Sequence, residues 1–126
     1  MSHMVRESPI VIKNLSTLKR ACQALGMEWR EGQTTARYWG GEATGYRHAI
    51  KVPGTNWEIG VKETAQGEYA LEADFYGQEG KKVRGAYNRL LQRYSSEEVK
   101  RQARLKGYSV KETRLPNGQV RLEVCL

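Results

Sequence analysis

Three stretches in the middle of the chain alternate apolar and polar residues with a period of two. Tyr46, His48, Ile50 and Val52 alternate with Arg47, Ala49 and Lys51. Trp57, Ile59 and Val61 alternate with Glu58, Gly60 and Lys62, and Tyr69, Leu71, Ala73 and Phe75 with Ala70, Glu72, Asp74 and Tyr76. That period belongs to extended strands, in which every second side chain points to the same face. Pro53-Gly54-Thr55-Asn56 and Gln66-Gly67 are the polar turns between them. Strands joined so closely pair antiparallel, and the pattern predicts a meander with one dry and one wet face. Pairing Trp57-Ile59-Val61 with Phe75-Ala73-Leu71 sets Gly60 opposite Glu72 and Glu58 opposite Asp74.

The segments around the meander read as follows. Pro9 to Asn14 is expected as a first strand. A helix follows, with Asn14 or Ser16 as cap, Leu15, Leu18, Cys22 and Leu25 on one face, and Gly26 as stop. Met27–Arg30 and Thr35–Trp39 are short strands, and Gly40, Gly41 and Gly45 mark a loop. A second helix starts near Gly80 and carries Val83, Tyr87, Leu90, Leu91 and Tyr94 as its apolar stripe. Ser95 with Glu98 three residues later has the form of a capping box, so a third helix is predicted from there to Gly107. Pro116-Asn117-Gly118 joins two final strands, with Val120, Leu122, Val124 and Leu126 as a buried face. The whole is an α+β two-layer sandwich: a mostly antiparallel sheet with helices on one face.

A chain of 126 residues has room for one modest core, so residues 1–126 are expected as a single domain with residues 1–7 as a flexible tail. No apolar run reaches the length of a membrane span, and the N-terminus lacks the apolar stretch of a signal peptide. Two cysteines, Cys22 and Cys125, make neither a disulfide framework nor a four-ligand zinc site. A small, basic, cytoplasmic domain is what remains.

The charge is concentrated. Residues 81–106 hold Lys81, Lys82, Arg84, Arg89, Arg93, Lys100, Arg101, Arg104 and Lys106 against Glu97 and Glu98. That surplus of seven equals the net charge of the whole chain, +7. A one-sided basic helix pair is the electrostatic footprint of a protein that meets phosphate backbones, and arginine suits bidentate phosphate contact. Lys82, Arg84, Arg89, Arg93, Lys100, Arg101 and Arg104 are therefore the candidate anion-binding residues. No helix-turn-helix, RNP-type aromatic motif, KH-type loop or zinc finger accompanies them. Tyr87 lies on the apolar stripe and is read as core rather than as a base-stacking ring.

Catalytic chemistry is sparse. His48 sits beside Ile50 and Val52 and is read as a hydrogen-bonded core or edge histidine. Cys22 is a small hydrophobe, Ser95 and Ser96 are caps, and the glycines at 40, 41 and 45 form no phosphate loop. Glu58, Glu72 and Asp74, on the wet face of the meander, are the weak candidates for a divalent-metal site. Trp39 and Tyr76 alternate away from their apolar neighbours. Two readings stand for them: anchors for a partner, or rings under a cover on the second face of the sheet.

The chain resembles the hypothetical chloroplast reading frame 35 family, also labelled domain of unknown function 1257, of cyanobacteria, plastids and various bacteria. The likeness runs over nearly the full length. It lies in Met1-Ser2-His3-Met4, Ile10-Val11-Ile12-Lys13-Asn14 and Ala24-Leu25-Gly26, then Trp57-Glu58-Ile59-Gly60-Val61 and Tyr69 to Gly77, then Leu91-Gln92-Arg93-Tyr94 and the closing Gly107-Tyr108 and Asn117-Gly118. These motifs are structural. The resemblance implies an accessory role beside an AAA-type ATPase, and the basic helices are a departure from it.

Three functions are expected from this reading. The first is a non-catalytic, cofactor-free binding module whose basic helices contact an anionic polymer, RNA rather than DNA, or a ribonucleoprotein. The second is a protein–protein adaptor. The third is a small metal-dependent enzyme at Glu58, Glu72 and Asp74.

Overall fold

A computed structural model describes residues 3–125. Its elements are α1 (Leu15–Ala24), β1 (Glu28–Arg30), β2 (Thr35–Tyr38), β3 (Gly41–Thr44), β4 (His48–Lys51), β5 (Glu58–Ala65), β6 (Glu68–Glu72), α2 (Gly77–Leu105), β7 (Ser109–Arg114) and β8 (Val120–Cys125). The fold is α+β. Strands β1, β4, β5 and β6 form an antiparallel sheet in the order β1-β4-β5-β6, and β2–β3 and β7–β8 are separate hairpins.

The meander forms in the register its alternation requires, with Ile50 opposite Ile59, Val61 opposite Leu71 and Gly60 opposite Glu72. One face carries Ile50, Ile59, Val61 and Leu71. It packs with Leu18 and Cys22 of α1 and Val83, Tyr87 and Leu90 of α2 in one core. Asn14 caps α1 by accepting the Thr17 amide at 3.1 Å.

The second face is also covered, which overturns the expected wet face. Glu58 is only 7% exposed. The β2–β3 hairpin lies over this side: Tyr46 closes on Gly60, where a methyl group would run into the phenol ring. Tyr46 and His48 therefore point to opposite faces, because the chain bends at Arg47. A strict alternation across that bend was the wrong inference from the spacing. The glycines at 41 and 45 bracket strand β3 rather than a plain loop.

A further expectation, the strand at Pro9–Asn14, fails for a physical reason. Pro9–Asn14 makes a single bridge, Ile12 with Tyr69, and Val5 ahead of it makes another with Ala73. Seven steps from Val5 to Ile12 face four from Ala73 to Tyr69, so the two segments cannot stay in register, and Pro9 between the bridges has no amide to donate. The segment expected as a tail includes Val5, whose amide and carbonyl both bond Ala73, at 2.8 and 3.0 Å; Met1 and Ser2 lie outside the described residues.

The second and third helices are one helix of 29 residues, about 43 Å long. The capping box at Ser95 does not form because Glu98 is engaged elsewhere. It accepts the Thr17 hydroxyl at 2.6 Å and the Arg101 guanidinium at 3.0 and 3.1 Å. No proline or glycine between Ser95 and Leu105 interrupts the helix. The last hairpin packs on the end of α2 rather than joining the sheet. Its Val120 and Leu122 are half-buried and Val124 is 47% exposed, so the expected buried face is only partly formed; Leu126 lies outside the described residues.

Candidate functional site

Helical phase decides where the basic residues go. Val83, Tyr87, Leu90, Leu91 and Tyr94 face the core. At 100° per residue, Lys82, Arg89, Arg93, Lys100 and Arg104 fall within roughly one sixth of the helix circumference, on a flank about 115° from the centre of that stripe. They span about 33 Å along the axis. Because the helix does not break at Ser95, residues expected on two helices share one line.

Their pairing is loose. Lys82 Nζ sits 3.4 Å from Glu79, Arg93 Nε 3.2 Å from Glu97, and Lys100 Nζ 3.1 Å from Glu112 of β7. All are solvent-accessible pairs, each worth about 1 kcal/mol or less. Arg89 and Arg104 have no ion pair among the described residues. Arg20 of α1, which the charge count passed over, sits near Glu98, where its positive charge helps to lower that carboxyl's pKa.

Two of the seven candidates belong elsewhere. Arg84 turns toward the N-terminal segment, where Glu7 holds it with both carboxylate oxygens and its guanidinium lies 4.4 Å from the Phe75 ring centroid. Arg101 turns toward α1. Its hydrogen bond to Glu98, with a further contribution from Thr17, holds that carboxyl below the ordinary glutamate range. Both arginines serve the fold.

The three acidic candidates do not converge. Glu58 accepts from Arg30 Nη1 at 3.1 Å, Gln33 Nε2 at 2.9 Å and the Arg37 amide at 2.9 Å. Glu72 accepts the Tyr46 hydroxyl at 2.9 Å, with Arg6 at 3.8 Å from its other oxygen. Asp74, 3% exposed, accepts the amides of Trp39 and Tyr76 at 3.3 and 3.0 Å. Each carboxylate ties down covering structure. Among the described residues no group of three histidine, cysteine or acidic side chains is placed to hold a metal.

Trp39 and Tyr76 do meet. They are 65% and 51% exposed, and their rings touch edge to face with centroids 5.9 Å apart. With Trp57, Gly77, Gln78 and Glu79 they line a shallow cavity of about 220 Å³. The largest cavity, about 560 Å³, lies at the other end of α2 between Val11, Tyr94, Val99, Ala103, Tyr108 and Val124.

The remaining nucleophiles and bases are quiet. Burial pushes the Cys22 thiol up to about 12, leaving no thiolate at neutral pH. Burial pushes the His48 pKa down, and its Nδ1 accepts the Gly32 amide at 3.0 Å. The Glu31 carboxylate lies 3.0 Å from the same nitrogen and acts against that shift. Among the described residues no helix is long and apolar enough to cross a membrane.

The family described as "Protein of unknown function (DUF1257)" matches residues 21–123. No curated protein and no solved structure matches the chain.

Proposed function

For a chain that belongs to the DUF1257 family, we propose a role as a non-catalytic binding module that lays the exposed side of α2 along an anionic polymer, RNA rather than DNA. The observation that carries this reading is the line of Lys82, Arg89, Arg93, Lys100 and Arg104 on one side of one unbroken helix. Its partners are solvated glutamates or none, so a phosphate displaces little. Arginine at three of the five positions favours bidentate phosphate contact. The contact positions a backbone and reads no bases.

The test is fluorescence anisotropy of a labelled RNA oligomer at several salt concentrations. Binding should weaken steeply with salt, and Arg89→Glu/Arg93→Glu should lower the slope of log K against log salt by roughly 1 to 2. Failure of the folded wild-type protein to bind at low salt sinks the proposal.

A second reading, a protein–protein adaptor, draws on the apolar cavity beside Val99, Tyr108 and Val124. The resemblance noted above makes an AAA-type ATPase its partner. Photocrosslinking from position 99 in the native host tests it, and labelling that joins no ATPase subunit counts against it.

A further inference from the structure

Trp39 and Tyr76 come from distant parts of the chain. Trp39 stands at the turn of the β2–β3 hairpin and Tyr76 is the residue preceding α2. Large aromatic rings this exposed are costly to leave in water unless something meets them. Both are nevertheless held firmly at the backbone. The buried Asp74 carboxylate accepts one amide from each, Trp39 on Oδ2 and Tyr76 on Oδ1. One buried carboxylate thus sets two exposed rings into a corner, one presenting its edge to the other's face at 70°.

The corner adjoins the basic line. Glu79 lines the aromatic cavity, and Lys82 Nζ, the first cation of the line, is 3.4 Å from Glu79 Oε1. A ring platform at the head of a cationic track is the arrangement by which proteins hold single-stranded nucleic acid: charge follows the backbone while unpaired bases stack on the rings. A duplex has its bases already stacked and offers the rings nothing.

We infer that the Trp39–Tyr76 corner is a stacking site for an unpaired base, so that the polymer lying along α2 is single-stranded RNA. The inference rests on the reading of α2 proposed above and adds the strandedness of the ligand. Glu79, whose carboxylate lines the cavity, opposes an incoming phosphate.

Anisotropy titrations with a labelled 12-nucleotide single strand and with its duplex separate the two claims. The wild-type protein should prefer the single strand. Trp39→Ala should weaken single-strand binding roughly tenfold, about 1.4 kcal/mol, and leave duplex binding unchanged. Trp39→Tyr should restore most of the loss, which a merely structural role of Trp39 would not predict for the single strand alone. Glu79→Gln should tighten binding. Equal affinity for both forms, unaffected by Trp39→Ala but lost in Arg89→Glu/Arg93→Glu, overturns the stacking site and keeps the α2 interface. Absence of binding to either form overturns both.

Discussion

The hairpins β2–β3 and β7–β8 differ in almost every respect that decides whether a hairpin is covered. β7–β8 has the stronger local signature: Pro116-Asn117-Gly118 at its turn, with Gly118 at φ 86°, and Val120, Leu122 and Val124 in strict alternation. Yet it stands apart from the main sheet and leaves Val124 half in water. β2–β3 is glycine-rich and reads Thr-Ala-Arg-Tyr, then Gly-Glu-Ala-Thr. It is nevertheless fastened over the sheet, through Glu58 to the Arg37 amide and through Asp74 to the Trp39 amide. An apolar alternation says that a face wants cover. Long-range polar contacts that no local pattern displays decide which cover it receives.

The difference can be broken in order of expected size. Glu58→Ala leaves the Arg37 amide without its acceptor and takes one acceptor each from Gln33 and Arg30, which keep the Thr35 carbonyl and Glu28. It should cost about 3 kcal/mol in urea unfolding and speed amide exchange in β2–β3 first. Unchanged exchange there would mean the hairpin is held by something other than Glu58. Gly60→Ala pushes a methyl into the Tyr46 ring and should cost about 2 kcal/mol, lifting the hairpin from the sheet. Val124→Ala, in the other hairpin, should stay within about 0.5 kcal/mol of wild type. A larger loss would show that β7–β8 contributes more to the core than its exposure implies.

The same contrast explains what could be read in the residues alone. The meander was legible because Ile50, Ile59, Val61 and Leu71 are periodic and close in sequence, and their register follows from two short turns. The cover on the second face was not legible, because Glu58 looks like any solvated acid until Arg30, Gln33 and Arg37 are brought to it. The break predicted at Ser95 rested on a local motif. Its glutamate was recruited by Thr17, 81 residues away in sequence. For the α2 interface, the charge surplus could be counted from composition, but its direction could not. Arg84 and Arg101 are as basic as Arg89 and Arg93, but their helical phase and the positions of Glu7 and Glu98 take them off the line. The aromatic corner lay furthest from view, since Trp39 and Tyr76 are joined by a carboxylate that reads as a strand-face acid.

The tyrosines on the inner side of α2 have a temporal meaning. Tyr87 donates its hydroxyl to the Leu71 carbonyl at 2.9 Å and accepts the Ser8 amide at 3.4 Å. Tyr94 accepts the amides of Lys13 and Asn14 at 3.1 and 3.3 Å. The bonds to Ser8, Lys13 and Asn14 close loops of 79 to 81 residues. On a ribosome the strap from Ser8 to Asn14 is made well before Tyr94, so its fastenings to that ring do not exist until Tyr94 has been synthesised. The open edge of β6 waits for the same strap. The strap is thus fastened later than it is made, and α2, the helix that carries the basic line outward, is also the latch that holds it inward.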